Sequence, residues 1–152
     1  MRSVLPIFLF LAVLAGCGST QTSRVRDILQ IRPLEEDDPL AARLADRKGD
    51  LVRVGDVVIN DYLVQSLFFK PGENGTFDLS IFLTDYGAAK WKNLLVRRVP
   101  TVVLVIEGKV YARFTPAQPV NKSGTNIIVP GLASTQEEAD ALQKIFDRKR
   151  TE

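Results

Sequence analysis

The strongest hydrophobic pattern in the chain is an apolar run from Val102 to Ile106. The run is rich in β-branched residues, and its five residues are too few for a helix or a membrane span, so it is typical of a strand covered on both faces. Glu107 and Gly108 interrupt it and predict a tight hairpin turn, because Gly accepts positive φ. The next strand alternates, with Val110, Ala112 and Phe114 on one face and Tyr111 and Arg113 on the other. The pattern therefore predicts a hairpin at the centre of a sheet.

Alternation of apolar and polar positions predicts further strands on both sides of this hairpin. They run from Val25 to Leu34, from Val57 to Phe69 with an interruption at Asn60 and Asp61, from Phe77 to Leu83, and from Thr125 to Val129. The turn residues from Pro71 to Gly75 join the second and third of these strands into another hairpin. Pro130 and Gly131 are expected to end the last strand.

Other segments have the spacing of helices. Pro39 to Arg47 is predicted to be a short helix, with Leu40 and Leu44 four residues apart and Gly49 as its stop. A longer helix follows Thr84 or Asp85 as its cap, and its apolar stripe is Ala88, Trp91, Leu95 and Val99. The last helix begins at a capping box formed by Ser134 and Glu137 or by Thr135 and Glu138, and its stripe is Ala139, Leu142, Ile145 and Phe146.

The two main helices each carry a single apolar stripe, so each can pack by one face only. Trp91 could stack on a ligand, but its place on such a stripe favours a core residue. We therefore predict an α+β fold, in which an antiparallel or mixed sheet has two main helices packed on one face.

The N-terminus has the form of a secretory signal. Arg2 is followed by an apolar segment from Val4 to Ala15, which is shorter than a bilayer span and ends in Leu14-Ala15-Gly16-Cys17. This ending resembles the lipobox of bacterial lipoproteins, in which the Cys is diacylated and the chain is cleaved before it. The alternative is an ordinary secretory signal with an incidental Cys. We predict a signal peptide over residues 1–16, a flexible tether over 17–24 and one domain over 25–152.

Lipidation of Cys17 has two consequences. Since it is the only Cys, no thiol is left for a disulfide, a metal site or a nucleophile. The chain is also expected to be anchored to a membrane by lipid and to face the periplasm. Gly18 follows the Cys, where an Asp commonly keeps lipoproteins at the inner membrane, so the outer membrane is slightly favoured.

Composition limits the chemistry. A formal charge of +2 gives no large basic field, so no nucleic-acid partner is expected. The sequence contains no His, which excludes His-dependent triads and His-ligated zinc. A Ser–Lys dyad or a carboxylate pair stays open, but no motif supports either, so we expect no enzyme and no cofactor. The acidic run from Glu35 to Asp38 could bind a divalent cation, but it lacks the spacing and Gly of a calcium loop and favours a solvated loop.

Three segments together resemble a known family. They are the sequence Thr84-Asp85-Tyr86-Gly87-Ala88-Ala89-Lys90-Trp91, the hairpin from Val102 to Val110, and Ile127-Ile128-Val129-Pro130-Gly131 followed by Ser134-Thr135-Gln136-Glu137-Glu138-Ala139. They look like the head of the first periplasmic domain of SecD, the accessory subunit of the bacterial protein translocase. The likeness covers about Val57 to Phe146, and Glu107 replaces the Asp usual in the family's turn. The membrane helices of SecD are not found in this sequence, so the resemblance implies a polypeptide-gripping or docking module without the motor.

Two functions follow as expectations. The first is a lipid-tethered, non-catalytic module that binds a polypeptide or docks on an envelope complex, with a link to protein export. Its sheet edge could accept an extended peptide. Its candidate binding residues are Tyr111, Arg113, Phe114, Pro116 and Gln118. The alternative is a structural envelope lipoprotein, or adaptor, with one fixed folded partner.

Overall fold

The apolar run is an inner strand of an antiparallel sheet. The computed structural model describes residues 27–117 and 125–148, so the predicted signal peptide, Cys17, the tether and Gln118 lie outside the described residues. Four strands form this sheet, namely β1 Leu29–Pro33, β4 Ile59–Asn60, β7 Val102–Ile106 and β8 Lys109–Phe114. Their order across the sheet is β4-β1-β7-β8.

Further strands form a second sheet and a separate hairpin. The second sheet has the order β5-β6-β9, with β5 Val64–Pro71, β6 Phe77–Leu83 and β9 Asn126–Ala133. The hairpin consists of β2 Ala42–Ala45 and β3 Leu51–Val54. A short 3-10 turn, Asp61–Leu63, stands where the sequence predicted an interruption between β4 and β5.

Two helices complete the described part of the chain. Helix α1, Asp85–Val96, contacts β4 and β6, and helix α2, Gln136–Arg148, contacts β5 and β9. The predicted caps are confirmed, since the Thr84 hydroxyl accepts from Gly87 N at 3.2 Å and that of Thr135 accepts from Glu138 N at 3.2 Å. The α+β prediction, with antiparallel sheets and two helices, is confirmed. No helix within the described ranges is both long and apolar enough to cross a bilayer.

Strand β7 is buried on both faces, as its composition predicted. Val102, Leu104 and Ile106 belong to the main core, which they share with the helices and the second sheet. Val103 and Val105 point the other way, into a smaller core under the β2–β3 hairpin with Val52, Val54 and Val110. The hairpin therefore covers the outer face of β7, and the helices and the second sheet cover its inner face.

The predicted helix from Pro39 to Arg47 is wrong. The Asp38 carboxylate accepts from Leu40 N at 2.8 Å and the Asp38 carbonyl accepts from Ala41 N, which makes a turn, and the chain then enters β2. Leu40 is 92% exposed, whereas Leu44 packs on the smaller core. Leu40 lies in the turn and Leu44 lies in β2, so their four-residue spacing does not place them on one face of a helix.

The predicted facing of β8 is wrong at its first half. Leu104 pairs with Ala112 but Val105 pairs with Val110, so a β-bulge places Tyr111 as an extra residue between them. Because of the bulge, Val110 points into the smaller core while Phe114 points into the main one. A uniform alternation along the strand cannot describe both ends.

The predicted end of β9 is also wrong. Pro130 and Gly131 stay inside the strand, at a shift of register between the Leu79–Val129 and Phe77–Ala133 pairs. Gly131 has φ +58°, which few other residues adopt, and its N–H donates to the Asp78 carboxylate at 2.9 Å. The Pro-Gly pair therefore bends the strand and does not end it.

Trp91 is a core residue, as its position on the helix stripe predicted. It is 1% exposed, and its ring stacks on Phe114 at 6.4 Å between centroids. Its Nε1–H donates to the Ala117 carbonyl at 3.3 Å, which satisfies the polar atom of the buried indole.

Candidate binding surfaces

Tyr111 lies where three elements meet. The bulge sets its half-buried side chain against the main core, and the Arg47 guanidinium lies 5.4 Å from its ring centroid. Arg47 comes from the turn between β2 and β3, and it also pairs with the Glu138 carboxylate in the first turn of α2. A single cation therefore joins the turn, the bulge and the start of the last helix.

The Glu138 carboxylate is held in its ionised form. Its other oxygen accepts from Ser134 N at 2.8 Å. This backbone hydrogen bond lowers the pKa of Glu138 below its usual value, and although partial burial opposes the shift, the Arg47 charge adds to it. The carboxylate thus caps α2 and fixes Arg47 over Tyr111.

Asp46 shapes the turn on the other side of Arg47. Its carboxylate accepts from Lys48 N at 2.8 Å and from Asp50 N at 2.9 Å, and its backbone bridges to Val110 in β8. Desolvation raises the pKa of Asp46, but the backbone N–H groups of this turn, together with the Arg113 charge, lower it by more. The turn is therefore locked against β8 in one geometry.

We call the surface formed by Asp46–Lys48 and Val110–Arg113 the Tyr111 surface. A shallow cavity of about 200 Å³ lies between these two segments. At its rim Arg113 pairs with Glu36 at 3.2 Å, so one residue of the acidic run neutralises one of the candidate binding residues. Within residues 27–117 and 125–148, no three acidic or thiol side chains converge as a metal site would require.

The structure separates the other sequence-predicted candidates. Phe114 is 8% exposed and lies in the main core against Trp91, so its side chain is not presented to a partner. Pro116 is half-buried in the segment after β8, and Gln118 lies outside the described residues. Among the candidates that the structure describes, Tyr111 and Arg113 come together on one surface.

A second surface follows the edge of the second sheet; the sequence led us to expect an open sheet edge but did not show which strand would form it. Strand β5 pairs with β6 on one side, and on its other side no strand of the described residues pairs with it. The hairpin register places Ser66, Phe68 and Lys70 opposite Phe82, Ser80 and Asp78. Strand β5 is thus an edge strand, with one row of backbone groups directed away from the sheet.

The hydrogen-bond ladder identifies which backbone groups these are. Leu83 N donates to Thr125 O across the β6–β9 register, and Gly72 N donates to Thr76 O at the end of the β5–β6 hairpin. Bonded and non-bonded pairs alternate in antiparallel strands, so both observations place Ser66, Phe68 and Lys70 in the bonded pairs with β6. It follows that Leu67 and Phe69 direct their N–H and C=O groups toward the open edge.

An apolar groove begins beside this edge. Its volume is about 240 Å³, and its lining is Ile28, Asp61, Tyr62, Val64, Leu67, Phe146 and Asp147. We call it the β5 groove. Asp61 is fixed by accepting from Ile28 N and Leu29 N at 2.8 Å each, and Asp147 accepts from Gln143 Nε2 at 3.0 Å. The lining therefore combines hydrocarbon walls with two carboxylates.

The outer face of β5 carries an aromatic pair. Phe68 is 46% exposed and stacks on Phe82 with 5.7 Å between the ring centroids. The sequence predicted a strand here, but its alternation could not show which neighbour the strand would lack. Edge status depends on pairing between segments far apart in the chain, so no local pattern carries it.

The fold matches solved structures of SecDF. One, described as the structure and function of a membrane component SecDF that enhances protein export, has a TM-score of 0.59 and 17% identity, with 80% of this chain and 62% of that chain covered. Another, a crystal structure of SecDF in a super-membrane-facing form, has a TM-score of 0.60 and 17% identity, with 80% of this chain and 18% of that chain covered.

The chain spans less than two thirds of either SecDF chain. No protein-family model matches the sequence, and no curated protein matches it. At 17% identity the similarity concerns the fold. The chain therefore has an α+β fold of the kind found in SecDF.

Proposed function

We propose that this protein is a membrane-anchored, non-catalytic module that binds polypeptide, or docks on a protein, in the cell envelope in connection with protein export. The observation that carries the proposal is the fold shared over 80% of the chain with SecDF, a membrane component that enhances protein export. The lipobox-like ending at Cys17 supports a lipid anchor facing the periplasm, and the sequence segments that resemble the periplasmic head of SecD support a polypeptide-binding or docking role.

The described surfaces support binding better than catalysis. The two carboxylates with lowered pKa, Asp46 and Glu138, are engaged in turn and helix capping, and they keep their charge at neutral pH. The Tyr111 surface and the β5 groove instead offer an aromatic ring under a cation and an open strand edge beside hydrocarbon. These are groups that contact a protein chain.

The three tyrosines of the chain make a matched test. Tyr111 lies on the Tyr111 surface, Tyr62 lines the β5 groove, and Tyr86, which is 65% exposed on α1, lines neither. Each is replaced in turn by a photo-reactive phenylalanine analogue in the full chain, the cells are irradiated, and the adducts are identified by mass spectrometry.

We expect many different exported polypeptides at Tyr62 or Tyr111 and few at Tyr86. One and the same folded protein in every adduct would instead favour the second candidate, an envelope adaptor with a fixed partner. Adducts with exported chains that are equally abundant at all three positions would contradict a specific binding surface.

A further inference from the structure

The outward side of helix α1 is basic and uncovered. The helix packs by Gly87, Trp91 and Leu94, whereas the residues on its opposite side are exposed. From Asp85 to Arg98 the chain carries four cations and a single carboxylate, that of Asp85. We call the outward side the α1 face and define it by Tyr86, Lys90, Lys92, Val96, Arg97 and Arg98.

The cations of the α1 face have no carboxylate partner among the described residues. The Lys90 ammonium lies 5.5 Å from the centroid of the Tyr86 ring, and the other three side chains are exposed. By contrast, Arg47 and Arg113 of the Tyr111 surface are paired with carboxylates, and α2 carries four carboxylates and two cations. The α1 face is therefore the described helix face that would attract an anionic surface.

Two features besides charge suit the α1 face to the headgroup layer of a bilayer. Tyr86 and Val96, at its two ends, are 65% and 73% exposed, and aromatic and aliphatic groups are favoured where headgroups meet hydrocarbon. Arg98 has φ +53°, in the position after a helix where Gly is usual. A charged residue kept in this conformation against its own Cβ is typical of a residue retained for a contact.

The predicted anchor would hold this face close to a bilayer. Ile28 N donates to the Asp61 carboxylate at 2.8 Å, and the turn Asp61–Leu63 accepts at 2.9 Å from N of Thr84, the cap of α1. The chain therefore enters the domain beside the start of α1. The stretch from Cys17 to Ile28 can span at most about 40 Å, and α1 is about 18 Å long, so the whole α1 face can reach the lipid headgroups.

We propose that the α1 face lies against the anionic phospholipid surface of the membrane that carries the anchor, with its Lys and Arg side chains at the lipid phosphates. This inference rests on the membrane anchoring in the proposed function and deepens it, because it names the contact that orients the anchored domain. Each cation near such a surface adds attraction, and a basic helix face with apolar groups among its cations lies in the plane of an interface. An acidic protein would also attract the cations, but the anchor places lipid phosphates within reach of the face in every molecule.

The test uses the full, lipid-modified chain reconstituted into vesicles of phosphatidylcholine alone or of phosphatidylcholine mixed with phosphatidylglycerol. An environment-sensitive fluorophore is attached to a Cys introduced by Ala89→Cys, on the outward side of α1, or by Ala141→Cys, at an exposed position of α2. Quenching by acrylamide, which is uncharged, measures how readily solutes in water reach each label.

We expect the label at position 89 to be quenched at least about threefold less in the phosphatidylglycerol vesicles than in the neutral ones. The label at position 141 should be quenched equally in both. Raising the salt to about 0.5 M should restore quenching at position 89, because salt screens the attraction between cations and phosphates.

A matched pair of triple variants tests the charges, since each removes three exposed cations. The first variant combines Lys92→Gln, Arg97→Gln and Arg98→Gln. The control variant combines Arg43→Gln, Lys48→Gln and Lys109→Gln. The first should abolish the protection of the label at position 89, and the control should keep it, because the attraction comes from the α1 face and not from net charge.

The photo-reactive analogue at Tyr86 gives an independent result in cells, where its adducts should be phospholipid. A protein in place of lipid at Tyr86 would make the α1 face a protein interface and overturn the inference. Equal protection of position 89 in neutral and anionic vesicles, or protection that persists in the first triple variant, would also overturn it.

The two proposals can fail separately. If the α1 face showed no contact with lipid while Tyr62 or Tyr111 captured exported polypeptides, the proposed function would stand and only this contact would fail. If the α1 face bound the phosphatidylglycerol vesicles as expected but no exported polypeptide was captured in cells, the proposed function would fail and the membrane contact would stand.

Discussion

At the scale of single residues, the turn between β7 and β8 depends on two residues with positive φ. The sequence predicts a tight turn here from Gly108, but Glu107 is an unusual residue for its position. Glu107 has φ +48° and Gly108 has φ +80°, so both turn residues are left-handed, as in the tight hairpins that match the twist of the strands. Gly adopts this conformation without strain, but the Cβ of Glu opposes it. Glu107 is therefore a position where the native residue is not the most stable one.

Replacing Glu107 by Asn should stabilise the protein by about 0.5–1 kcal/mol, because Asn tolerates the left-handed region. Gly108→Ala at the neighbouring position should destabilise it by about 1 kcal/mol for the opposite reason. Urea unfolding followed by circular dichroism measures both. A loss of stability on Glu107→Asn would show that the Glu side chain makes a contact worth more than the strain.

At the scale of elements, the β2–β3 hairpin covers the outer face of β7, a role that its sequence does not predict. Its sequence is short and mixed, yet Val52 and Val54 are almost fully buried against Val103 and Val105 of β7. Without it, the outer face of the most apolar strand would meet water. The hairpin stabilises the centre of the main sheet although it forms no continuous sheet with it.

Val52→Ala and Leu51→Ala test this arrangement as a pair. Val52 is 3% exposed, so its truncation should cost about 2 kcal/mol of unfolding free energy from lost burial and the cavity left behind. Leu51, the residue before it, is 68% exposed, and its truncation should cost less than about 0.5 kcal/mol. Similar losses in the two variants, measured by urea unfolding, would mean that the hairpin does not cover β7 in solution.

The start of α2 should make stability depend on pH. The pKa of Glu138 is lowered in the folded protein, so its ionised form adds stability above the ordinary Glu pKa, and this stability is lost as the pH falls through the lowered value. Glu138→Gln should therefore flatten the fall in stability between about pH 5 and pH 3. Thermal unfolding at a series of pH values measures the slope, with Glu137→Gln as a control for the loss of one exposed carboxylate on the same turn. An unchanged slope in Glu138→Gln would argue against the Ser134 and Arg47 contacts.

At the scale of the whole molecule, the described residues form one folded unit, in which the main core joins both large sheets and both helices. The two candidate surfaces lie on different elements, one at the bulge of β8 and one at the edge of β5. The predicted lipid anchor would attach this unit to a membrane ahead of β1, through the residues that follow Cys17.

Cys17→Ser should abolish this anchoring. The variant should lose the diacyl modification in mass spectrometry and move from the membrane fraction to the soluble fraction, because the thiol that carries the lipid is gone. Residues 27–148 should keep their fold, which circular dichroism checks. If the variant stayed with the membrane as the wild type does, the N-terminus would be an ordinary signal or the attachment would have another cause.

The sequence by itself determined the local features of this protein. The burial of Val102–Ile106, the caps at Thr84 and Thr135, the core position of Trp91 and the alternation from Phe77 to Leu83 were all predictable. Each depends on neighbours within one turn or one strand, where steric and hydrogen-bonding rules act directly on the residue types. The α+β class followed from the number and spacing of these elements.

Only the tertiary structure decided how the elements face one another. The bulge at Tyr111 reversed the facing of Val110, and Pro130-Gly131 bent β9 where a strand end was predicted, because register is set by the partner strand. The four-residue spacing of Leu40 and Leu44 suggested a helix, but a turn followed by a strand can have the same spacing. Contacts between segments far apart in the chain also decided the candidate sites. They buried Phe114 in the core, and among the described residues they left one side of β5 without a partner strand.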